Sequence, residues 1–390
     1  TAALDLGTIL QQKQNLGPLT SSFTISGKGA DPKTAKASLK GKINSIVLKQ
    51  YNYRDVALSG SLVNQKATFT TSIVDPNIHV SLAGEADISK EFPAVSIDAM
   101  IDSLKLQPLH LAPATTIYRA KIKGNFPTTD PDNLQGNLLI TQSLLIREDQ
   151  RLQLDTIRLL AGKNDAGQFI RLNSDMVNAE LKGRYKLTEL VYVFQNSIQS
   201  YFAVQPPTSV KKVQPYNFQL DAFVFNSPAI KSLIPGFERL DSIQFQSHFS
   251  DTNGWTASLN APVIDMGVNH VRMLTMQAGT VDNKIKATVG LGHFVSGSSI
   301  ELNNTTLNAI LANNQLDFAL NIKDRGLKDK YNVGGTLRKQ NDNNYTLSLR
   351  PDSLLLNYQA WNISPNNKLI IAGTKFNATN FTLSQASQQL

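Results

Sequence analysis

Histidine is the side chain of this sequence best suited to metal binding and to proton transfer near neutral pH. The five histidines stand at His79, His110, His248, His270 and His293. No two of them have the spacing of a metal-ligand pair, and the metalloprotease motif HExxH does not occur. We therefore expect structural or surface roles for all five, and no metal site.

Other reactive constellations are equally scarce. The sequence contains neither the GxSxG nucleophile motif nor a phosphate-binding P-loop. Gly290-Leu291-Gly292 is a lone GxG without the third glycine and the following helix of a nucleotide site. Cysteine is absent, which excludes disulfides and cysteine nucleophiles, and the acidic residues stand mostly in predicted turns. The sequence predicts a protein that is not an enzyme and needs no cofactor.

The charge distribution narrows the range of partners. The formal net charge is +8 and the pI is about 9.4. The basic residues are scattered, often in pairs such as Lys211 and Lys212, and do not form the dense block with interleaved aromatic residues of a nucleic-acid site. We expect no nucleic-acid partner and a mild attraction to anionic lipid headgroups.

The elements that must carry the function are strands. Between Ala37 and Ile88, four or five short segments alternate apolar and polar residues, separated by Gly, Asn, Asp or Pro. A period of two is typical of a strand with one buried face, and it recurs through most of the sequence. Tight turns such as Thr252-Asn253-Gly254 predict hairpins. The predicted fold is mainly β: an elongated, twisted, mostly antiparallel β-groove, resembling a β-taco or β-solenoid.

A short motif, Asp-Ser/Thr-Leu/Ile, recurs along the predicted strands. It begins at Asp102, Asp155, Asp241 and Asp352, each time where a turn enters a strand. An aspartate side chain can hold such a turn by accepting backbone N–H groups. Chance combined with turn preference explains the recurrence as well as a repeated layer of one sheet does.

One segment, 186–204, has a helical period instead, and Pro206 and Pro207 end it. The predicted amphipathic helix covers the open side of a sheet; lying on a membrane surface is the alternative. Its apolar stripe comprises Leu187, Leu190, Val191, Phe194, Ile198, Tyr201 and Phe202.

The helix divides the chain into three predicted parts. These are a first β-groove segment at 1–185, the helix and a linker at 186–215, and a second β-groove segment at 216–390. No apolar run reaches the roughly 18 residues of a transmembrane helix, and the first residues lack the features of a signal peptide. Both ends have the look of a cut chain, so we expect a fragment of a longer protein.

The apolar face of a long sheet must be either buried against another element or available to bind an apolar ligand. A second sheet would give a sealed sandwich, whereas an open trough lined by aliphatic side chains would accept acyl chains; the residues alone leave both open. The candidate floor residues of such a trough are Val56, Leu58, Phe69, Ile73, Ile78, Val80, Leu82, Val95, Ile97, Phe218, Leu220, Leu259, Phe318 and Leu320.

Three stretches together resemble a known family. One is YNYRDVALSGSLVNQKATFTTSIVDPNIHVSLAGEADIS, with its Tyr-x-Tyr entry and apolar-x-Gly strands. The others are LKGRYKLTELVYVFQNSIQSYFAV and the C-terminal WNISPNNKLIIAGTKFNATNFTLSQASQQL. Their joint order, over about a quarter of the chain, resembles the TamB/AsmA-like proteins of the Gram-negative envelope.

The resemblance implies a periplasmic segment of a bridge-like phospholipid transporter, with acyl chains in an apolar groove between the inner and outer membranes. It also implies an inner-membrane anchor outside this fragment and a partner among outer-membrane barrel proteins of the Omp85 type. Two alternatives stay open: an assembly factor or chaperone for outer-membrane β-barrel proteins that pairs through exposed strand edges, and a structural β-solenoid with a sealed core.

Overall fold

The computed structural model describes residues 4–389 except 10, 13, 30, 32, 113, 148–149, 204–210, 235, 342–343 and 386–387. Strands make up 68% of the chain and helices 7%, which confirms the mainly β prediction. The chain divides into two compact units, Thr1–Asn178 (unit 1) and Ala179–Leu390 (unit 2). All strand pairs are antiparallel, and in neither unit does the described ladder close on itself.

Unit 1 consists of a strand ladder, with the short helix α1 (Leu6–Ile9) between its first two strands. Within the unit each strand pairs with the next one in sequence except β10, which like β11 pairs with β9. The strands are β1 (Leu4–Asp5), β2 (Leu16–Lys28), β3 (Lys36–Leu48), β4 (Tyr51–Val63), β5 (Lys66–Asp75), β6 (Ile78–Asp87), β7 (Ala94–Lys105), β8 (Thr116–Thr128), β9 (Gln135–Arg147), β10 (Gln150–Leu154), β11 (Ile157–Asn164) and β12 (Gly167–Asn173).

Unit 2 holds most of β13 (Val177–Arg184) and the helices α2 (Leu190–Gln199) and α3 (Pro228–Leu233). Its strands are β14 (Asn217–Val224), β15 (Phe237–Leu240), β16 (Ile243–Ser250), β17 (Gly254–Met266), β18 (Asn269–Val281), β19 (Lys284–Ser296), β20 (Ile300–Ala312), β21 (Gln315–Lys323), β22 (Asp329–Asn341), β23 (Asn344–Leu349), β24 (Leu355–Leu356), β25 (Gln359–Ala360), β26 (Asn362–Ile363), β27 (Lys368–Ala372), β28 (Lys375–Thr379), β29 (Leu383–Gln385) and β30 (Gln388–Gln389).

The predicted helix at 186–204 is shorter than expected. A 3₁₀ turn occupies Leu187–Glu189, and the α-helix runs only over Leu190–Gln199. Tyr201 and Phe202 come after its last residue and are not part of it, although both amide N–H groups bond to the carbonyl oxygen of Ile198. Val204 and most of the predicted linker lie outside the described residues.

The Asp-Ser/Thr-Leu/Ile motif marks breaks in long strands. Asp155 separates β10 from β11, which both pair with β9, and Asp241 separates β15 from β16, which both pair with β17. Asp352 likewise separates β23 from β24, which both pair with β22. At Asp102 the register between β7 and β8 shifts. The motif therefore belongs to the architecture of the sheets.

Register places the apolar positions of unit 1 on one face, because directly paired residues of neighbouring strands point to the same side. One row across β3–β9 alternates large side chains with glycine. Such alternation relieves crowding where strands curve toward a face. The row runs through Leu39, Gly60, Phe69, Gly84, Ile97, Gly124 and Leu138.

A buried carboxylate fixes the turn between β5 and β6. Asp75 is 1% exposed. It accepts hydrogen bonds from the Tyr51 hydroxyl, from the Arg54 N–H at 3.1 Å and from the Asn77 N–H at 2.9 Å. These bonds tie the start of β4 to the turn that begins β6.

Replacing Asp75 by alanine will loosen this end of unit 1. Three donors lose their acceptor, so we expect local stability to fall by roughly 2–4 kcal/mol, measured as faster hydrogen–deuterium exchange across 50–80. Asp98→Ala is the control, because its carboxylate is 60% exposed and pairs with Lys123 at 3.2 Å, a surface contact worth about 1 kcal/mol at most. Equal exchange in the two variants would contradict the assigned role.

Candidate functional site

The predicted floor residues of unit 1 share one face of its sheet. Val56, Ile73 and Val80 are direct cross-strand neighbours, and Leu82 pairs with Thr71, which in turn pairs with Leu58. The remaining ones follow the same parity along β5, β6 and β7. We call this the apolar face of unit 1.

The apolar face of unit 1 is half-buried and not sealed. Leu58, Phe69, Val80, Leu82 and Ile97 each keep part of their surface exposed, whereas the interior of a filled sandwich would bury them. Two of the predicted floor residues are buried, which corrects the prediction for them. Val56 is 8% exposed. Ile78 is 3% exposed because it lies beside Asp75 and Leu104 at the end of the sheet.

Aromatic rings lie against glycines on this face. A Cβ atom at Gly84 would collide with the ring of Phe69, and one at Gly41 would collide with the ring of Phe23. The backbone at these two glycines is therefore covered by a ring from the neighbouring strand. The rings therefore fill the space above these two glycines with apolar surface.

The predicted floor residues of unit 2 also share one face, the apolar face of unit 2. Leu259 and Leu320 lie in one row, and Leu220 and Phe318 lie in the next. The prediction for Phe218 is corrected, because Phe218 lies on this face but is only 1% exposed. It belongs to the core beneath α2 and offers no surface to a ligand.

A row of small side chains crosses the apolar face of unit 2, and the sequence analysis missed it. It lies between a row that includes Leu259, Met276 and Leu307 and a row that includes Trp255, Ile285 and Leu311. Alternation within one strand cannot reveal such a row, because register alone aligns its members. They are Ser247, Ala257, Ala278, Ala287 and Ala309.

Helix α2 packs on one end of the apolar face of unit 2. Phe194 meets Phe249 edge-on at 5.0 Å between ring centroids, and Phe218 stacks on Phe249 at 5.3 Å. The Trp255 indole N–H donates to the Ser197 carbonyl oxygen at 3.1 Å. The buried core of this contact comprises Leu181, Tyr185, Val193, Phe218 and Phe249, with Leu187, Leu190, Val213, Tyr216, Leu220 and Trp255 packed around it.

The orientation of α2 differs from the predicted apolar stripe. Val193, outside the predicted set, is its buried residue. Val191 is 61% exposed and so does not cover the sheet, whereas Phe194 and Ile198 are 37% and 38% exposed and are only partly covered. The predicted stripe runs over the 16 residues 187–202, but the α-helical phase holds only across Leu190–Gln199, and the sequence does not show where that phase begins.

The residues that follow α2, Tyr201–Ala203, contact the turn between β20 and β21 and the strands β22 and β23. The Asn314 N–H donates to the Tyr201 carbonyl oxygen at 2.9 Å, and the Ala203 N–H donates to Asn314 Oδ1 at 2.8 Å. Lys339 Nζ donates to the Ala203 carbonyl oxygen at 2.6 Å. Phe202 stacks on Tyr345 with ring centroids 6.4 Å apart.

The polar groups of the described residues form ion pairs and hydrogen bonds with one another. Asp265 is held by His270 at 2.8 Å and by Arg272 at 2.5 Å, and the Arg272 guanidinium lowers the pKa of its carboxyl. His293 bonds to Asn303 at 2.7 Å. Within the described residues, no group of three His, Asp or Glu side chains has a geometry that could hold a metal ion.

Two clefts lie on the polar faces of the sheets. One, of about 560 Å³ in unit 2, is lined by residues that include Gln246 and Gln277; the other, of about 580 Å³ in unit 1, is lined by residues that include Ser59 and Thr70. His248, which lines the cleft of unit 2, bonds to Asn217 at 2.7 Å and not to a hydroxyl group, whereas acyl-transfer or hydrolytic chemistry requires a nucleophile bonded to a base. The extended apolar faces are therefore the candidate functional surfaces.

Alkaline pH will loosen the contact between α2 and the sheet. Burial raises the pKa of Tyr185 from 10.0 to about 12. Between these values the unfolded chain loses the phenol proton and the folded chain keeps it, so stability is complete below about pH 10 and falls by up to roughly 2–3 kcal/mol by pH 12. Trp255 emission should report this loss, and Tyr185→Phe should flatten it. An unchanged pH profile in Tyr185→Phe would contradict the assignment.

The comparisons with known proteins give no relative. The chain matches no model of a protein family, no curated protein and no solved structure. Among the described residues, none of the helices has the length and hydrophobicity that crossing a bilayer requires.

Proposed function

We propose that the apolar faces of the two units carry the acyl chains of phospholipids. The observation that supports this is exposure: aliphatic and aromatic side chains line both faces, yet residues such as Leu82 and Leu259 stay partly exposed. Apolar surface of this extent on a soluble protein marks an interaction site. An acyl chain gains about 0.8 kcal/mol for each methylene that it buries, and no directional bond is needed.

The polar groups around these faces suit such a ligand. The opposite face of unit 1 presents side chains such as Ser59, Thr70 and Ser81, which are exposed to water. A phospholipid would lay its acyl chains on the apolar face and keep its headgroup in solvent. No residue performs chemistry in this function, and specificity rests on shape.

The biological setting that we propose follows the TamB/AsmA-like resemblance. The chain would be a periplasmic segment of a bridge-like transporter that moves phospholipid between the inner and outer membranes. The inner-membrane anchor would lie outside this segment. The proposed partner is an outer-membrane barrel protein of the Omp85 type.

Native mass spectrometry of the purified chain tests the proposal. We expect adducts with the mass of phospholipids that survive gentle desolvation and disappear after delipidation. Delipidated protein should then take up a phospholipid with a fluorescent acyl chain from vesicles. Protein that is free of lipid as isolated and takes up none from vesicles would overturn the proposal.

Pairing of client strands to an open sheet edge is the second candidate function, and one observation favours it. In the described part of unit 1, residues 20–28 of β2 pair with β3 on one side and have no strand on the other. Ile25 there is 73% exposed. Long open edges accept added strands. A photo-crosslinker at Thr24 that captures a barrel protein, with none captured lipid at Leu82, would favour the assembly role.

A further inference from the structure

The hairpin turns of unit 2 show which end of its apolar face α2 covers. In an antiparallel ladder every second turn lies at the same end of the sheet. The turns at 251–253, 282–283 and 313–314 therefore share one end. Trp255, next to the first of these turns, bonds to α2, and Asn314, in the third, bonds to Tyr201. The segment from α2 to Ala203 thus crosses the end of strands β17–β21.

Three hydrogen bonds fasten the far end of this segment, beside the stacking of Phe202 on Tyr345. Asn314 makes two hydrogen bonds, one through its backbone N–H to Tyr201 and one through its side-chain oxygen to Ala203. Lys339 makes the third, to the Ala203 carbonyl oxygen. We call these contacts the latch. Two of them depend on the side chains of Asn314 and Lys339, so substitution can remove them.

The helix itself is weakly held. It has ten residues, and no side-chain hydrogen bond caps its N-terminus; isolated helices of this length are marginal in water. Of its side chains only Val193 is fully buried, while Val191, Phe194 and Ile198 are 37–61% exposed. Its conformation therefore depends on docking to the sheet, and the latch stabilises the docked position.

We propose that α2 with Tyr201–Ala203 is a releasable cap on this end of the apolar face of unit 2. Docked, it covers Phe249 and Trp255 and ends the path of an acyl chain along the face. Released at the latch, it uncovers the row that includes Trp255, Ile285 and Leu311 and opens the face at this end. The gating role rests on the proposed function, whereas the release of the cap does not.

Trp255 reports the state of the cap, because its indole lies against α2. The chain has two tryptophans, so Trp361→Phe leaves Trp255 as the single emitter. In that background, Asn314→Ala combined with Lys339→Ala should raise the open population roughly fivefold to a hundredfold, as expected for two lost hydrogen bonds. The measured result is stronger quenching of Trp255 by acrylamide.

Asn313→Ala is the matched control. Asn313 and Asn314 occupy the same turn and both have positive φ, 53° and 59°, so alanine brings similar backbone strain at either position. Asn313 is exposed and makes none of the latch bonds. Quenching should stay at the level of the unsubstituted chain in Asn313→Ala. Equal quenching in the control and the latch variant would overturn the cap.

A crosslink tests gating. The chain has no cysteine, so Ala203→Cys with Asn314→Cys can be joined specifically by a short bismaleimide. Vesicles of phosphatidylglycerol with dibrominated acyl chains should quench Trp255 faster in the latch variant than in the unsubstituted chain, and slowest in the crosslinked chain. Equal rates in all three would overturn gating. Acrylamide quenching that responds to the latch, with no quenching by brominated lipid in any variant, would instead refute the proposed function and the gating that rests on it, while the releasable cap would stand.

Discussion

We expect Leu82→Asp to weaken the proposed phospholipid binding by unit 1 strongly while leaving its sheet folded. Leu82 lies in the middle of the apolar face, paired with Thr71 on β5 and Ala99 on β7. Its partial exposure lets the carboxylate stay hydrated, so the strand can tolerate it. A bound acyl chain would have to remove that water, and an unpaired charge desolvated in an apolar contact is strongly unfavourable. We expect lipid uptake at this face to fall at least roughly tenfold.

Ser81→Asp is the matched control for this variant. Ser81 is the preceding residue of β6, is exposed and points to the polar face. The same charge placed there should leave lipid uptake unchanged. Uptake measured with a fluorescent phospholipid, together with circular dichroism to verify the fold, separates the two. Equal uptake in both variants would contradict the role of the apolar face.

Phe218→Ala will detach α2 from the sheet of unit 2. Phe218 is 1% exposed and contacts the rings of Tyr185, Phe194 and Phe249. Truncating a buried phenylalanine removes about 3–5 kcal/mol of stability, and Phe218 belongs to the buried core beneath α2. We expect loss of Trp255 burial, measured by acrylamide quenching, and faster hydrogen exchange over 187–203.

Phe223→Ala on the same strand is the comparison. Phe223 points to the other face of β14 and is partly exposed, so its truncation should change stability by about 1–2 kcal/mol and leave Trp255 protected. If Phe218→Ala leaves α2 docked, the core described beneath the helix is not what holds it.

The faces of the sheets were predictable from sequence because a strand fixes side-chain direction every two residues. Val80, Leu82 and their partners needed no long-range information beyond that period. The mainly β, antiparallel class followed from the same pattern and from the hairpin turns. Glycines such as Gly60 and Gly84 fell in the same alternation.

Positions that depend on register or on packing were not predictable. Alternation placed Phe218 on the correct face, but only the docking of α2 buries it. The row through Ala257, Ala278 and Ala287 exists because two hairpins bring those alanines into line. The bounds of α2 depended on where the 3₁₀ turn at Leu187–Glu189 ends, and the bonds of Asn314 join residues more than 100 positions apart.

Photo-crosslinking with p-benzoylphenylalanine tests the central claim most directly. The photoreactive residue is placed at Leu82 or Leu259 on the apolar faces and at Ser81 or Ser258 on the polar faces, and the protein is irradiated after expression in a Gram-negative host. We predict covalent phospholipid at Leu82 and Leu259, identified by mass spectrometry, and none at Ser81 and Ser258. Phospholipid captured equally at all four positions, or at none, would contradict the account.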